Sequence, residues 1–167
     1  MEDQLSKSTQ ATRFLSKVGA IFTLHEYAYN PQAQQIGIQA AEALGVAPEL
    51  LLKTLMAFVD SKPVCVIVPS DQEVSMKRLA AVMGGKSAQM MPIGEAERIT
   101  GYVVGGISPF GQRRRVPVVI EQQATRHDHV FVNGGQRGLQ INLVPDTIVQ
   151  TLDAIIAPVA QSIAPKE

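Results

Sequence analysis

Apolar and polar positions along the chain change their period several times, and each change marks an element. Ala11, Phe14, Leu15 and Val18 recur at helical spacing, with Ser8 or Thr9 as a cap and Gly19 as a stop. Residues 21–29 read as a strand through Phe22 and Leu24, which Asn30-Pro31 breaks. A helix is predicted over 36–44 before Gly45, and Pro48 begins a helical turn leading to Lys53. Strands follow at 54–59 and 64–68, joined by Asp60-Ser61-Lys62-Pro63. Helix signals return at 75–83 and 94–99, each with glycine behind it, and 116–121 reads as a strand. Residues 129–133 and 139–143 form a predicted hairpin around Asn133-Gly134-Gly135-Gln136-Arg137-Gly138. Pro145 and Asp146 open a last helix with Ile148, Val149, Leu152, Ile155 and Ile156 on one face. Strands and helices do not alternate regularly, so an α+β fold is expected, as a mixed sheet or a partly closed barrel.

Size and composition narrow the class. A chain of 167 residues with 46% apolar and 18% charged residues suits one globular domain over 1–167. Apolar runs such as Val64-Cys65-Val66-Ile67-Val68 are strand-length, far short of a membrane span. Met1-Glu2-Asp3-Gln4 has no basic region leading into an apolar stretch, so no secretory signal is expected and the cytoplasm is the default. The single cysteine, Cys65, sits in an apolar strand and reads as a buried small hydrophobe. Fifteen basic residues balance fifteen acidic ones, so the whole molecule is not expected to attract nucleic acid strongly.

Candidate chemistry concentrates in a few places. Gly101-Tyr102-Val103-Val104-Gly105-Gly106-Ile107-Ser108-Pro109-Phe110-Gly111 is a stiff glycine loop followed by Arg113-Arg114-Arg115. Main-chain N–H groups in such a loop can face an anionic or carbonyl-bearing ligand. Lys53, flanked by apolar residues, is either a snorkelling lysine or an ammonium held at a pocket edge. Tyr27 is either a core tyrosine or a pocket residue, and Arg137 either an exposed turn residue or a phosphate contact. The arginine run reads as a solvated rim that a nucleic acid can use. His127-Asp128-His129 lacks a third metal ligand, and no Gly-x-Ser-x-Gly elbow, Walker loop or dinucleotide fingerprint is present. No metal and no cofactor is expected.

Taken in order, these pieces resemble the YbaK/ProX family of aminoacyl-tRNA editing domains, in particular its YbaK-type Cys-tRNA deacylases. The residues that carry the resemblance are Leu24-His25-Glu26-Tyr27, Ala40-Ala41-Glu42-Ala43-Leu44-Gly45-Val46, Lys53-Thr54-Leu55, Thr100-Gly101-Tyr102, Gly105 through Gly111, and Gly134 through Leu139. The resemblance runs over about residues 9–157. The resemblance implies an α+β fold built as a small mixed, partly closed β-barrel flanked by helices, and removal of mischarged cysteine from tRNA(Pro), and also from tRNA(Cys), in a pocket lined by the lysine and the glycine loops. It places Tyr27, Lys53, Thr54 and Gly105 at pocket positions, with Ile36 and Asn133 at two more; Gly106 and Ser108 extend the same motif. Family members often carry serine at the position of Asn133, an aromatic residue at Ile36, and an Asp-His pair at Ala28-Tyr29.

This assignment fits the physics of translation fidelity. A synthetase pocket separates small side chains weakly, so a second site that destroys wrong products is useful. The chain shows no nucleophile–base pair, which suits a substrate-assisted route in which the cysteinyl thiol attacks its own ester. Lys53, Gly105 and Gly106 are then the expected catalytic groups, with Tyr27, Ile36, Thr54, Ser108, Asn133 and Arg137 around the substrate. The expected partner is the 3′ end of aminoacyl-tRNA, chiefly Cys-tRNA(Pro), with prolyl-tRNA synthetase in a transient complex. A ProX-type Ala-tRNA(Pro) deacylase and a non-catalytic tRNA-end or synthetase-binding module are the alternatives.

Overall fold

The computed structural model describes residues 8–163; the chain start, on which the expectation about a secretory signal rests, lies outside them. Helix α1 (Gln10–Lys17) begins at a capping box: the Thr9 hydroxyl accepts from the Thr12 N–H at 3.1 Å, and Thr12 Oγ1 accepts from the Thr9 N–H at 2.8 Å. Ala11 and Leu15 are buried, whereas Val18 lies past the helix end and is exposed. The strand expected over 21–29 is shorter, β1 (Thr23–Glu26). Helix α2 (Ile36–Leu44) ends at Gly45, whose φ of 70° is the left-handed conformation glycine adopts without strain. A single 3-10 turn, Pro48–Leu50, then leads into β2 (Leu52–Val59).

Strand β2 folds back on β3 (Lys62–Pro69) with Val59 paired to Lys62, so the turn is only Asp60 and Ser61. Both have positive φ, 48° and 69°, the pair that matches the twist of a tight hairpin. The Asp60 carboxylate also accepts from the backbone N–H groups of Lys86 and Ser87, which anchors the approach to β5 (Ala88–Met90). Between them lie β4 (Gln72–Val74) and α3 (Met76–Val82). Helix α4 (Ile93–Thr100), β6 (Val118–Glu121), β7 (Val130–Asn133), β8 (Leu139–Leu143) and α5 (Pro145–Leu152) follow, and β9 (Ile155–Ala157) and β10 (Ala160–Ser162) close the chain.

The strands form a mixed α+β arrangement of three sheets, ordered β5-β2-β3-β6-β9, β1-β8-β7 and β10-β4. Strands β3, β6 and β9 run parallel, while the remaining pairs are antiparallel. No closed barrel forms among the described residues. The larger sheet ends at the short strands β5 and β9, and an isolated parallel bridge between Leu51 and Phe131 joins it to the three-stranded sheet. The last helix is also shorter than its apolar pattern implies. Asp153 turns left-handed at φ 52°, and Ile155 and Ile156 pair in parallel with Val119 and Ile120 instead of extending α5. Branched side chains suit that edge.

Strand β3 explains the apolar run at its centre. Cys65 and Ile67 pack into a core with Leu15, Phe110, Ile120, Ile141 and Ile148. Val64, Val66 and Val68 face the opposite way, into a second core with Leu79, Val119 and Val159. A strand covered on both faces reads as continuously apolar.

Candidate functional site

A cavity of about 430 Å³ opens where the start of β2 meets the end of β1, the N-terminus of α2 and the loop after α4. Its walls are mostly apolar, with Ile36, Leu52, Met56, Met91 and Ile107 among them. Such walls with a few polar groups are what a small-ligand site offers. Lys53, Thr54, Tyr27, Gly105, Ile36 and Asn133 all line this one cavity, although they come from five separate segments. Gly106, Ser108 and Arg137 do not line it.

Lys53 stands on β2 opposite Val68 and is half-buried. Among the described residues its ammonium makes no ion pair or hydrogen bond. Burial pulls its pKa below the usual 10.5, against the weaker pull of Glu73 and Asp71. A partly desolvated cation without a partner is poised for an anion or a polarised oxygen.

Several neutral groups are in the same condition. The Tyr27 hydroxyl, the Thr54 hydroxyl and the Gln140 amide oxygen are buried and have no hydrogen-bond partner among the described residues, and all three residues line the cavity. Unsatisfied buried polar atoms are rare in native proteins and call for an explanation. A ligand supplies one. Burial raises the Tyr27 pKa, with Gln140 pulling weakly the other way, so the phenol stays neutral. Gln140 was not singled out from the sequence. The signal lay in Leu139-Gln140-Ile141, where Gln140 alternates with two core residues and is nevertheless only 3% exposed.

The two glycine turns meet at the cavity's edge. Gly105 has a φ of 89°, and among the described residues its N–H has no partner. Its carbonyl accepts from Asn133 Nδ2 at 3.1 Å, while Asn133 Oδ1 accepts from the Gly135 N–H at 2.7 Å. Gly106 is buried against the second turn: a Cβ there would sit 2.9 Å from the Arg137 backbone nitrogen and 3.0 Å from the Gln136 backbone. The Gly106 N–H donates to the Val103 carbonyl at 2.8 Å, so it is not free to meet an oxyanion. This leaves Gly105 as the available amide of the pair.

Ser108 is fully buried, and its hydroxyl accepts from the Phe110 N–H at 3.3 Å, a role in shaping the loop. Arg137 is exposed; its Nε donates to the Val104 carbonyl at 3.0 Å and its guanidinium lies 5.4 Å from the centre of the Tyr29 ring. Ser70 lines the cavity but donates its hydroxyl to the Leu51 carbonyl. Cys65 is fully buried and its thiol is pushed up to about 12, which keeps it protonated. Among the described residues no group of three His, Cys, Asp or Glu side chains is arranged to hold a metal ion, and no helix is long and apolar enough to cross a membrane.

Among the described residues, an unpaired ammonium, an unpaired amide and orphaned hydroxyls around an apolar hollow make a candidate site for a small polar group. Residues 30–151 match the aminoacyl-tRNA editing domain family, and the chain belongs to that family. A protein of Enterococcus faecalis named as a candidate Cys-tRNA(Pro)/Cys-tRNA(Cys) deacylase, EbsC, is 29% identical over 92% of this chain and 93% of its own. The multifunctional Ser/Thr-tRNA deacylase ProXp-y of Escherichia coli is 25% identical over 72% of this chain and 73% of its own. A crystal structure described as that of a candidate trans-editing enzyme for prolyl-tRNA synthetase has the same fold, with a TM-score of 0.79 at 19% identity, over 93% of this chain and 99% of the other.

Proposed function

We propose that this protein is a trans-editing deacylase that removes cysteine mischarged on tRNA(Pro), acting in the cytoplasm on the 3′ end of the aminoacyl-tRNA. The observation that carries the reading is the single cavity shared by Lys53, Gly105, Tyr27, Thr54, Ile36 and Asn133, with polar atoms left unpaired inside it. The likeness to EbsC over nearly the whole of both chains supports the choice of cysteine.

The chemistry follows from what the cavity lacks as well as what it holds. Among the described residues its lining contains no histidine, cysteine, aspartate or glutamate to activate a protein nucleophile or water. The substrate's own thiol takes that role. Its sulfur forms a bond to the ester carbonyl carbon, and the carbonyl oxygen becomes an oxyanion. The bond from carbon to the ribose oxygen then breaks, and the thiol proton ends on that oxygen. The products are a four-membered thiolactone and a tRNA with a free terminal hydroxyl. The protein's share is to fold the cysteinyl group onto its ester and to stabilise the oxyanion by the Gly105 N–H. Lys53 holds the terminal adenosine or its phosphate, while the packed glycine turns, through Gly106 and Ser108, keep Gly105 in place.

A balanced charge makes the protein a weak collector of free tRNA, and a transient complex with prolyl-tRNA synthetase raises the local concentration. The test is deacylation of Cys-tRNA(Pro), Ala-tRNA(Pro) and Ser-tRNA by the purified protein. Loss of cysteine with serine retained is the expected result. Loss of alanine moves the activity to the ProX type with water as nucleophile, and no loss from any ester leaves a binding module.

A further inference from the structure

We infer that Arg137 is a positioning residue that aims the Gly105 N–H at the reacting ester; the inference rests on the editing reading above. Arg137 is exposed and outside the cavity lining, so it does not touch the folded cysteinyl group. Its Nε nevertheless holds the Val104 carbonyl at 3.0 Å. The chain has no cis peptide among the described residues, so the Val104 C=O and the Gly105 N–H point in opposite directions across one rigid plane. To grip that oxygen is to set the direction of that N–H.

The loop needs such a grip. Two successive glycines, one at φ 89°, leave the backbone free to rotate unless something outside restrains it. The neighbouring groups are all engaged. The Val104 N–H donates to Glu97 Oε2 at 2.9 Å, the Gly106 N–H donates to Val103, and the Gly105 carbonyl accepts from Asn133. Of the N–H groups from Val104 to Gly106, only that of Gly105 is left over among the described residues. The Tyr29 ring completes the clamp. The guanidinium lies over it at 5.4 Å from the ring centre, and the Tyr29 hydroxyl and Arg137 Nε would lie 2.6 and 3.3 Å from a Cβ at Gly105, so ring and cation close on the glycine together.

Charge alone does not do this. A lysine keeps the positive charge but lacks the planar guanidinium that bonds through Nε while its centre lies over an aromatic ring. Arg137→Lys therefore separates aiming from simple attraction to a phosphate. Steady-state deacylation of Cys-tRNA(Pro) is measured for the wild type, Arg137→Lys and Arg137→Met, with a melting curve for each. Both variants are expected to lower kcat roughly 10- to 100-fold, somewhat less than the loss of a whole oxyanion donor. KM should stay within about twofold and the melting temperature should not move, since the side chain is on the surface. In spectra of glycine-labelled protein the Gly105 amide signal should shift in both variants. A wild-type kcat in Arg137→Lys, or a raised KM with kcat intact in Arg137→Met, overturns the clamp and makes Arg137 a phosphate contact. A wild type that cleaves none of the esters overturns the editing reading, and this inference with it.

Discussion

Asn133 and Gly105 are joined side chain to backbone, Nδ2 to carbonyl at 3.1 Å, across 28 positions of sequence. The same amide accepts from Gly135 at 2.7 Å, so one buried group fastens both glycine turns. Only a side chain with a donor and an acceptor at the same distance from the backbone does both. Asn133→Ala leaves the part-buried Gly105 carbonyl and Gly135 N–H without this partner, and stability should fall by about 1 kcal/mol. Asn133→Asp keeps the acceptor for Gly135 but sets a carboxylate against the Gly105 carbonyl. It should therefore lose more kcat than stability. Thermal melting and single-turnover deacylation of the two variants, compared side by side, check this.

Lys53 gives the site a pH limit with a defined sign. Its folded pKa lies below 10.5 because burial disfavours the charged form, so the ammonium is lost at a lower pH than in the unfolded chain. Stability linked to this group rises as pH climbs through the folded value, because the unfolded state then binds the proton better. Substrate capture, if the proposed role of Lys53 holds, is expected to move the other way and fall over the same window. After correction for uncatalysed ester hydrolysis, kcat/KM should show an alkaline limb below 10.5. Lys53→Arg should lose that limb, and Lys53→Ala should abolish deacylation with an unchanged melting profile. Near-normal turnover in the alanine variant removes Lys53 from the site.

The Tyr27 hydroxyl offers a case where function and stability should part. Among the described residues it makes no hydrogen bond of ordinary geometry, Gln140 giving only an opposing pull on its pKa, so its removal costs the empty protein little. Tyr27→Phe is expected to melt at or slightly above the wild-type temperature and to bind substrate more weakly. A drop in melting temperature with unchanged KM means that the hydroxyl serves the fold instead.

Cys65 makes the complementary case. A fully buried thiol pushed up to about 12 has almost no thiolate near neutral pH. Cys65→Ala should retain full deacylation, and iodoacetamide should leave the native protein unlabelled. Inactivation by the reagent at neutral pH contradicts a substrate-thiol mechanism.

Much of the architecture was readable because local chemistry and fold agree. Helix α2 begins and ends where its apolar spacing and Gly45 place it, and the β7–β8 hairpin turns at Asn133–Gly138. The short strands β4, β5, β9 and β10 escaped because three residues carry no usable period. Ile155 and Ile156 continued a helical stripe by spacing, and only the left-handed turn at Asp153 and the free edge of β6 send them into a sheet. In the site, Lys53 stood out as a cation among apolar residues. Gln140 did not, since a lone glutamine in a strand is unremarkable until neighbouring elements bury it. The division of labour between Gly105 and Gly106 was also hidden, because it depends on which N–H the loop consumes internally.

That division makes Gly106 the sharpest probe of how tightly the turns are coupled. Its φ is not in the positive range, so alanine fits its backbone and any loss comes from crowding. The crowding is severe, because the new Cβ would meet main-chain atoms of Gln136 and Arg137 at 2.9–3.0 Å, and neither is the end of a flexible side chain. The turns must separate, which stretches the bonds from Asn133 to Gly105 and from Arg137 to Val104 together. Gly106→Ala should lower stability by about 1–3 kcal/mol, as overpacking does. It should also lower kcat at least as far as Arg137→Lys. If melting and kcat both stay at wild-type values, the two turns are independent, and the Gly105 amide is held by its own loop alone.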